Sequence, residues 1–483
     1  MLSSSSAFKR QPVGTSTPVQ FHLATLAGRA YRCQCGCPIF FRNSACLACG
    51  TPLGYDPESA RLLPLMAGTE PGTWVLWHDH PDNQAGQQAS GVLANLDSPD
   101  SLDNFDQPGH SHQADNTVLP PPALLYWRCA NLQTPAACNW LVPAIGSQTT
   151  DRLCRACRLN HTIPDLNDTA HPDNGLLWGR IELAKRRLIS NLLALGLPVT
   201  SRVSEDTVCG MMFDFLRSPD CGPHVMTGHN TGLITLNLQE ADDAVREAVR
   251  TAMREPYRTL LGHFRHEIGH YYWGRLVWGT EWMAGFHQLF GDETLNYAAS
   301  LRKNYEQGPP DQWWLHYVSA YASTHPWEDW AECWAHYLHM RDTVDTALSL
   351  GLATDSAQLE VTPFTLEALY QPGHPGAQHF LDFLNDWTRL TTLLNEMSRS
   401  MGQPDFYPFV LPRGVVAKLH FIHLLVTGSS WLPEDAGVVR LAQHALDQQI
   451  EDSTQTQPQM QMQMQMQGQT HMQPFAMGGL CQP

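Results

Sequence analysis

Between residues 176 and 195, Ile181, Leu183, Leu188, Leu192 and Leu195 recur at helical spacing, which predicts an amphipathic helix with one packed side. A second helix is predicted over residues 257–276, where Leu260, Leu261, Phe264, Ile268, Tyr271 and Tyr272 keep the pattern of a buried face. Short runs at 62–66, 73–77 and 211–216 read as strands, and 225–238 reads as a strand broken by a turn at 228–232. Further helices run to about residue 446. Periodicity fails in three places. Residues 1–30 are rich in Ser and Thr and read as a flexible terminus. Residues 78–122 turn to Asp, Gln, Asn, Gly, Pro and His and read as a disordered insertion, whose His78, His80, His110 and His112 are polar filler. Residues 451–483 contain QMQMQMQMQGQ and read as a disordered Gln/Met-rich tail.

The second helix carries the chemistry. His266, Glu267, Ile268, Gly269 and His270 spell HExxH, and four residues are a little more than one turn, so both imidazoles share a face with Glu267 beside them. Two histidines and a glutamate in a buried helix need partners, and a cation satisfies them. A catalytic zinc takes a third protein ligand and leaves one position for water. The metzincin pattern is excluded, because Trp273 and Leu276 stand where it needs Gly and His. The segment YASTHPWEDWAECWAHYLHM, residues 321–340, offers the best third ligand: Pro326 suits the first turn of a helix and Glu328 and Glu332 lie one turn apart. Both acids share a face with Trp327, Ala331, Trp334 and Ala335, where burying them is costly without a cation or donors. An acid in a first turn can also serve as a cap, and Glu293 in FGDETLNYAA is the other candidate ligand.

Eight of the 13 cysteines fall into two groups of four, Cys33, Cys35, Cys46 and Cys49, then Cys129, Cys138, Cys154 and Cys157. Paired knuckles of this kind give zinc four thiolates and a closed shell. Cys37 leaves two ways of completing the first group, Cys33 with Cys35 or Cys35 with Cys37. The opening MLSSSSAFKRQPVGTS has no apolar core of signal-peptide length, so the expected setting is a reducing cytoplasm with zinc rather than disulfides. Cys37, Cys209, Cys221, Cys333 and Cys481 read as ordinary thiols.

The chain has 483 residues, 43% of them hydrophobic, enough for two or three cores, and no apolar run reaches the roughly eighteen residues of a membrane span. With 30 basic against 47 acidic residues the net charge is −17, which repels polyphosphate and makes nucleic acid an unexpected partner. The short basic runs Arg152, Arg155, Arg158 and Lys185, Arg186, Arg187 read as solvated faces.

HEIGH followed by YASTHPWEDWAE, behind two cysteine clusters, resembles the zinc-binding metallopeptidases that carry an amino-terminal zinc ribbon, a gluzincin-type family of zincins, over residues 31–441. The resemblance implies an α+β fold, with two four-cysteine zinc-ribbon modules of small β structure at 31–164 and a mostly helical zincin-like domain at 165–450. It implies a zinc metallopeptidase in which His266, His270 and Glu328 bind catalytic zinc and Glu267 is the general base toward a zinc-activated water. Tyr321, seven residues before the glutamate ligand, faces the substrate carbonyl, and Glu332 holds a ligand histidine by its other ring nitrogen. It favours Cys33 with Cys35, leaving Cys37 spare, and gives the strand at 233–238 the task of holding an extended peptide. One catalytic and two structural zinc ions are the expected cofactors, and a peptide or protein the expected substrate, with the ribbons open to a protein partner. The alternative is a non-catalytic zinc-ribbon adaptor that binds protein or nucleic acid and keeps a vestigial zincin domain.

Overall fold

The computed structural model describes residues 28–79, 124–144, 152–352 and 362–428. The inserted segment from residue 80, its His80, His110 and His112, the Gln/Met stretch and Cys481 lie outside the described residues. The fold is α+β, a small β zinc-ribbon region followed by a mostly helical one with a mixed sheet.

Strands β1 (Tyr31–Arg32) and β2 (Pro38–Ile39) pair antiparallel beside the first cysteine group. Then β3 (Leu53–Asp56), β4 (Arg61–Ala67), β5 (Trp74–Leu76), β6 (Tyr126–Arg128) and β7 (Leu141–Pro143) form one antiparallel sheet in chain order. Tyr55 on β3 bridges Trp140 beside β7, with ring centroids 4.9 Å apart, so the sheet curls toward closure. The sequence suggested two modules separated by an insertion. The pairing of Trp74 with Tyr126 spans that insertion, so strands from both sides of it share the sheet β3 to β7.

The chain leaves the second cysteine group directly into β8 (Asn160–Thr162), which is the outer strand of a second sheet. That sheet runs β10, β11, β9, β8, with β9 (Met212–Leu216) parallel to both neighbours and β10 (Gly228–Asn230) antiparallel to β11 (Leu233–Asn237). Thr231 and Gly232 turn the β10–β11 hairpin at φ 48° and 85°, backbone that favours glycine. The strand expected to hold substrate, 233–238, is therefore interior, and β10 is the edge strand next to it. Residues 228–230 looked like turn because their strand pairing is made through the hairpin and not by local pattern.

Helix α1 (Asn174–Ala194) covers this sheet and is buried on several sides. Its Lys185 and Arg186, read from sequence as a solvated run, are inside: Lys185 Nζ pairs with Glu182 at 2.8 Å and also meets the Asn160 side chain of β8. A basic run is compatible with burial where each charge finds a partner. After α2 (Asp243–Met253) comes α3 (Leu260–Leu276), whose start is set by Thr259, an extended residue accepting the Gly262 amide at 3.0 Å. Phe264 of α3 meets Phe213 and Phe215 of β9 edge-on, which seats the helix on the sheet. Short helices α4 (Met283–Leu289) and α5 (Tyr297–Gln307) lead to α6 (Pro326–Ser349), and α7 (Ala377–Ser400) and α8 (Arg413–Gly428) pack behind it. No described helix is long and apolar enough to cross a membrane.

One buried carboxylate ties these parts together. Asp342 of α6 accepts from Arg29 ahead of β1 at 3.0 Å, Arg187 of α1 at 2.7 Å and Arg265 of α3 at 2.8 Å. Arg29, at the end of the stretch expected to be loose, is thus an anchor.

Candidate metal centre

The centre is built where α3 and α6 approach closely. Gly269, inside HExxH, is what permits this: a Cβ there would lie 3.1 Å from the Ala331 Cα and 3.2 Å from the Trp334 side chain. Its carbonyl accepts the Trp330 indole N–H at 2.8 Å, which locks the two helices in register. Helix α6 starts at Pro326, whose missing N–H costs nothing at a first turn, and His325 caps it by accepting the Trp327 amide at 3.2 Å.

This register brings His266, His270 and Glu328 together, with one ligand atom from each lying within 4.8 Å of the others. His266 Nε2 is 3.0 Å from Glu328 Oε2, and His270 Nε2 is 3.7 Å from Oε1. On its far side, His266 Nδ1 is 2.8 Å from Glu332 Oε1, while the Ser319 hydroxyl donates to Glu332 Oε2 at 2.6 Å. Glu267 is buried beside them, 9% exposed. The ring of Tyr321 stands 5.8 Å from that of His266. Glu293 is not part of the group; it meets His287 at 2.6 Å.

Burial opposes charge on every one of these groups, and the neighbours decide the outcome. For His266 the Glu328 and Glu332 carboxylates outweigh burial and hold the imidazole well above its usual range. For His270 burial wins and its pKa falls to about 4. Glu328 is held far below the usual carboxylate range, because His270, His266 and the Tyr297 hydroxyl together outweigh burial. Burial lifts Glu267 to about 7. Burial, followed by the negative charge of Glu328, raises the Tyr321 phenol.

Do these residues fit a metal ion? Glu328 Oε2 is buried and accepts no hydrogen bond, although it faces the Nε2 atom of His266. A buried carboxylate oxygen without a donor is costly, and a divalent cation among two imidazole nitrogens and this oxygen removes the cost. The donor set is one that zinc accepts at an open site.

The cysteine groups have the complementary geometry of closed sites. Cys33 Sγ is 3.6 Å from Cys49 Sγ and Cys35 Sγ is 3.8 Å from Cys46 Sγ. Cys37 stays outside this group and instead uses its carbonyl to accept the Cys33 amide at 2.9 Å. Cys129, Cys138, Cys154 and Cys157 form the second group, with Cys138 and Cys154 sulfurs 3.6 Å apart. Facing it is Arg186, whose buried Nη1 has no hydrogen-bond acceptor and whose charge Cys138, the Glu182 carboxylate, Cys157 and Cys154 favour against burial. A guanidinium beside three of these sulfurs suits thiolates that have given up their protons to a metal. Cys221, expected to be a thiol, is disulfide-bonded, whereas Cys209 and Cys333 are buried thiols.

Residues 174–425 match the family model described as "putative zinc-binding metallo-peptidase", and zinc-ribbon domain models match residues 30–97 and 93–168. The chain belongs to this metallopeptidase family. Uncharacterized proteins of Mycobacterium bovis and of two strains of Mycobacterium tuberculosis are 39% identical to it over 401 residues, which is 82% of this chain and 95% of each relative. No solved structure matches it. The family match spans α1 to α8 and therefore contains the whole histidine and glutamate group.

Three neighbours of the centre escaped the sequence reading. The Tyr297 hydroxyl donates to Glu328 Oε1 at 2.5 Å. Ser319 fixes Glu332, as above. His229 of the edge strand stacks on His270 at 6.2 Å, with Nε2 accepting the Gly232 amide at 2.9 Å. Each reaches the centre from a separate helix, loop or strand, and no spacing within the chain marks such a contact.

Proposed function

We propose that this protein is a zinc-dependent peptidase of the gluzincin type, with His266, His270 and Glu328 as ligands of the catalytic metal and Glu267 as general base. The observation that carries the reading is the donor-free Glu328 Oε2 set 3.0 Å from His266 Nε2, in a group that His270 completes. When bound, zinc supplies Lewis-acid polarisation of a peptide carbonyl and acidifies water toward a pKa of about 7.

The chain's own residues do the rest. Glu267 takes the proton of the attacking water and returns it to the departing amine; a carboxyl held near 7 by burial can do both at neutral pH. Glu332 accepts from His266 Nδ1, which fixes the ring and turns Nε2 toward the metal. Tyr321 donates to the developing oxyanion. The unpaired edge of β10, beside His270, offers main-chain hydrogen bonds to an extended peptide, so recognition is mostly of backbone. The two four-cysteine groups hold structural zinc.

The test is Glu267→Gln. It should leave the metal content unchanged and lower cleavage of a mixed peptide library by at least about 100-fold. Undiminished cleavage contradicts the reading, and a fully metallated natural protein that cleaves nothing favours the adaptor.

A further inference from the structure

A carboxylate has two oxygens, and a metal can take one or both. At Glu328 they are in different surroundings. Oε2 is buried with no donor and lies toward His266, whereas Oε1 accepts the Tyr297 hydroxyl at 2.5 Å.

The pose of Tyr297 is set independently of that bond. The residue opens α5, whose cap Asn296 accepts the Ala299 amide at 2.8 Å. Its ring is held edge-on by His325 at 5.2 Å and by Trp327 at 6.4 Å. His325 in turn joins the two segments: Nε2 donates to the Leu295 carbonyl at 3.0 Å, ahead of α5, while Nδ1 accepts the Trp327 amide in α6. The phenol is thus aimed at Oε1 by contacts that do not involve the histidine ligands.

We propose that Tyr297 is the positioning residue that makes Glu328 a one-oxygen ligand, keeping a coordination position free for substrate. The inference rests on the reading of His266, His270 and Glu328 as metal ligands. Its physical basis is competition: an O–H bound to Oε1 takes one of that oxygen's two lone pairs and lowers its basicity, which disfavours a second metal bond. The same bond draws charge from the carboxylate, so a bound ion keeps more of its own and polarises a carbonyl more strongly.

The experiment uses the full chain with its cysteine sites left in zinc and cobalt(II) introduced at the histidine site. The natural protein should show the intense visible bands of four-coordinate cobalt. Tyr297→Phe, which keeps the ring and its aromatic contacts, should shift to the weaker bands of higher coordination, with zinc held at least as tightly in chelator competition because both Glu328 oxygens are then open to it. Tyr321→Phe should leave the bands and the affinity as they are, since its ring stands near His266 and not on Glu328 Oε1. Natural bands in Tyr297→Phe, or weaker zinc binding, overturn the inference while the metal site stands. If the natural protein takes up no cobalt there, or Glu328→Ala takes it up with unchanged bands, the underlying reading falls and the inference with it.

Discussion

The two four-cysteine groups offer the same ligands and differ in what surrounds them. In the first, Cys35 and Cys49 are exposed, and the Cys49 sulfur is met by Thr51 and by the Gln34 side chain. In the second, all four cysteines are buried, and Arg186 of α1 supplies a facing charge. The chain leaving the second group becomes β8 of the sheet on which the HExxH helix rests. On the proposed reading, zinc in the second group is part of the folding of the helical region, whereas zinc in the first holds the segment that Arg29 tethers to α6. Identical coordination chemistry thus has different structural weight.

The largest effect that tests this contrast comes from one serine in each group. Cys154→Ser should cost the second zinc and the folded helical region together, since structural zinc contributes on the order of 10 kcal/mol, comparable to the whole stability of a domain. Cys49→Ser should cost one zinc and leave helical circular dichroism and its melting intact. If both variants melt alike, the contrast is broken.

Next comes the tether. Asp342→Asn leaves three guanidinium groups, two of them buried, around a neutral partner and should destabilise the protein by about 3–5 kcal/mol in denaturant unfolding. Burial alone would raise the pKa of Asp342, but Arg29, Arg187 and Arg265 outweigh it and depress it below that of an unfolded aspartate. A depressed acid contributes stability above its unfolded pKa of about 4 and loses it as pH falls from there toward the folded value. The natural protein should therefore lose stability below about pH 4, with a shallower slope in Asp342→Asn; equal slopes would remove Asp342 from the explanation.

The smallest of these effects sharpens the contrast at one contact. Gly179 of α1 lies against the loop of the second group so closely that a Cβ would stand 2.5 Å from the Pro135 carbonyl oxygen. Gly179→Ala should cost about 1–3 kcal/mol and speed chelator release of the second zinc but not the first. Faster release from the first group would show that the two are not separately anchored.

What the chain's letters disclose follows the range of the contact. HExxH, the Pro326 start of α6 and the cysteine knuckles are local patterns, and the histidine and glutamate group forms around them. The split between Glu328 and Glu293 needed the packing of α6 on α3, which Gly269 and Trp330 set. Lys185 and Arg186 misled because a charge run looks the same whether water or Glu182 and sulfur answer it. Residues 228–230 and Tyr297 act through partners far along the chain, so periodicity could not mark them.

Metal content per chain tests the central claim most directly, measured on the natural protein and on Glu328→Ala. The account predicts about three zinc ions in the natural protein, one for each ligand group, and one fewer in a variant that remains folded. Unchanged zinc in folded Glu328→Ala, or none beyond the cysteine sites in the natural protein, would contradict it.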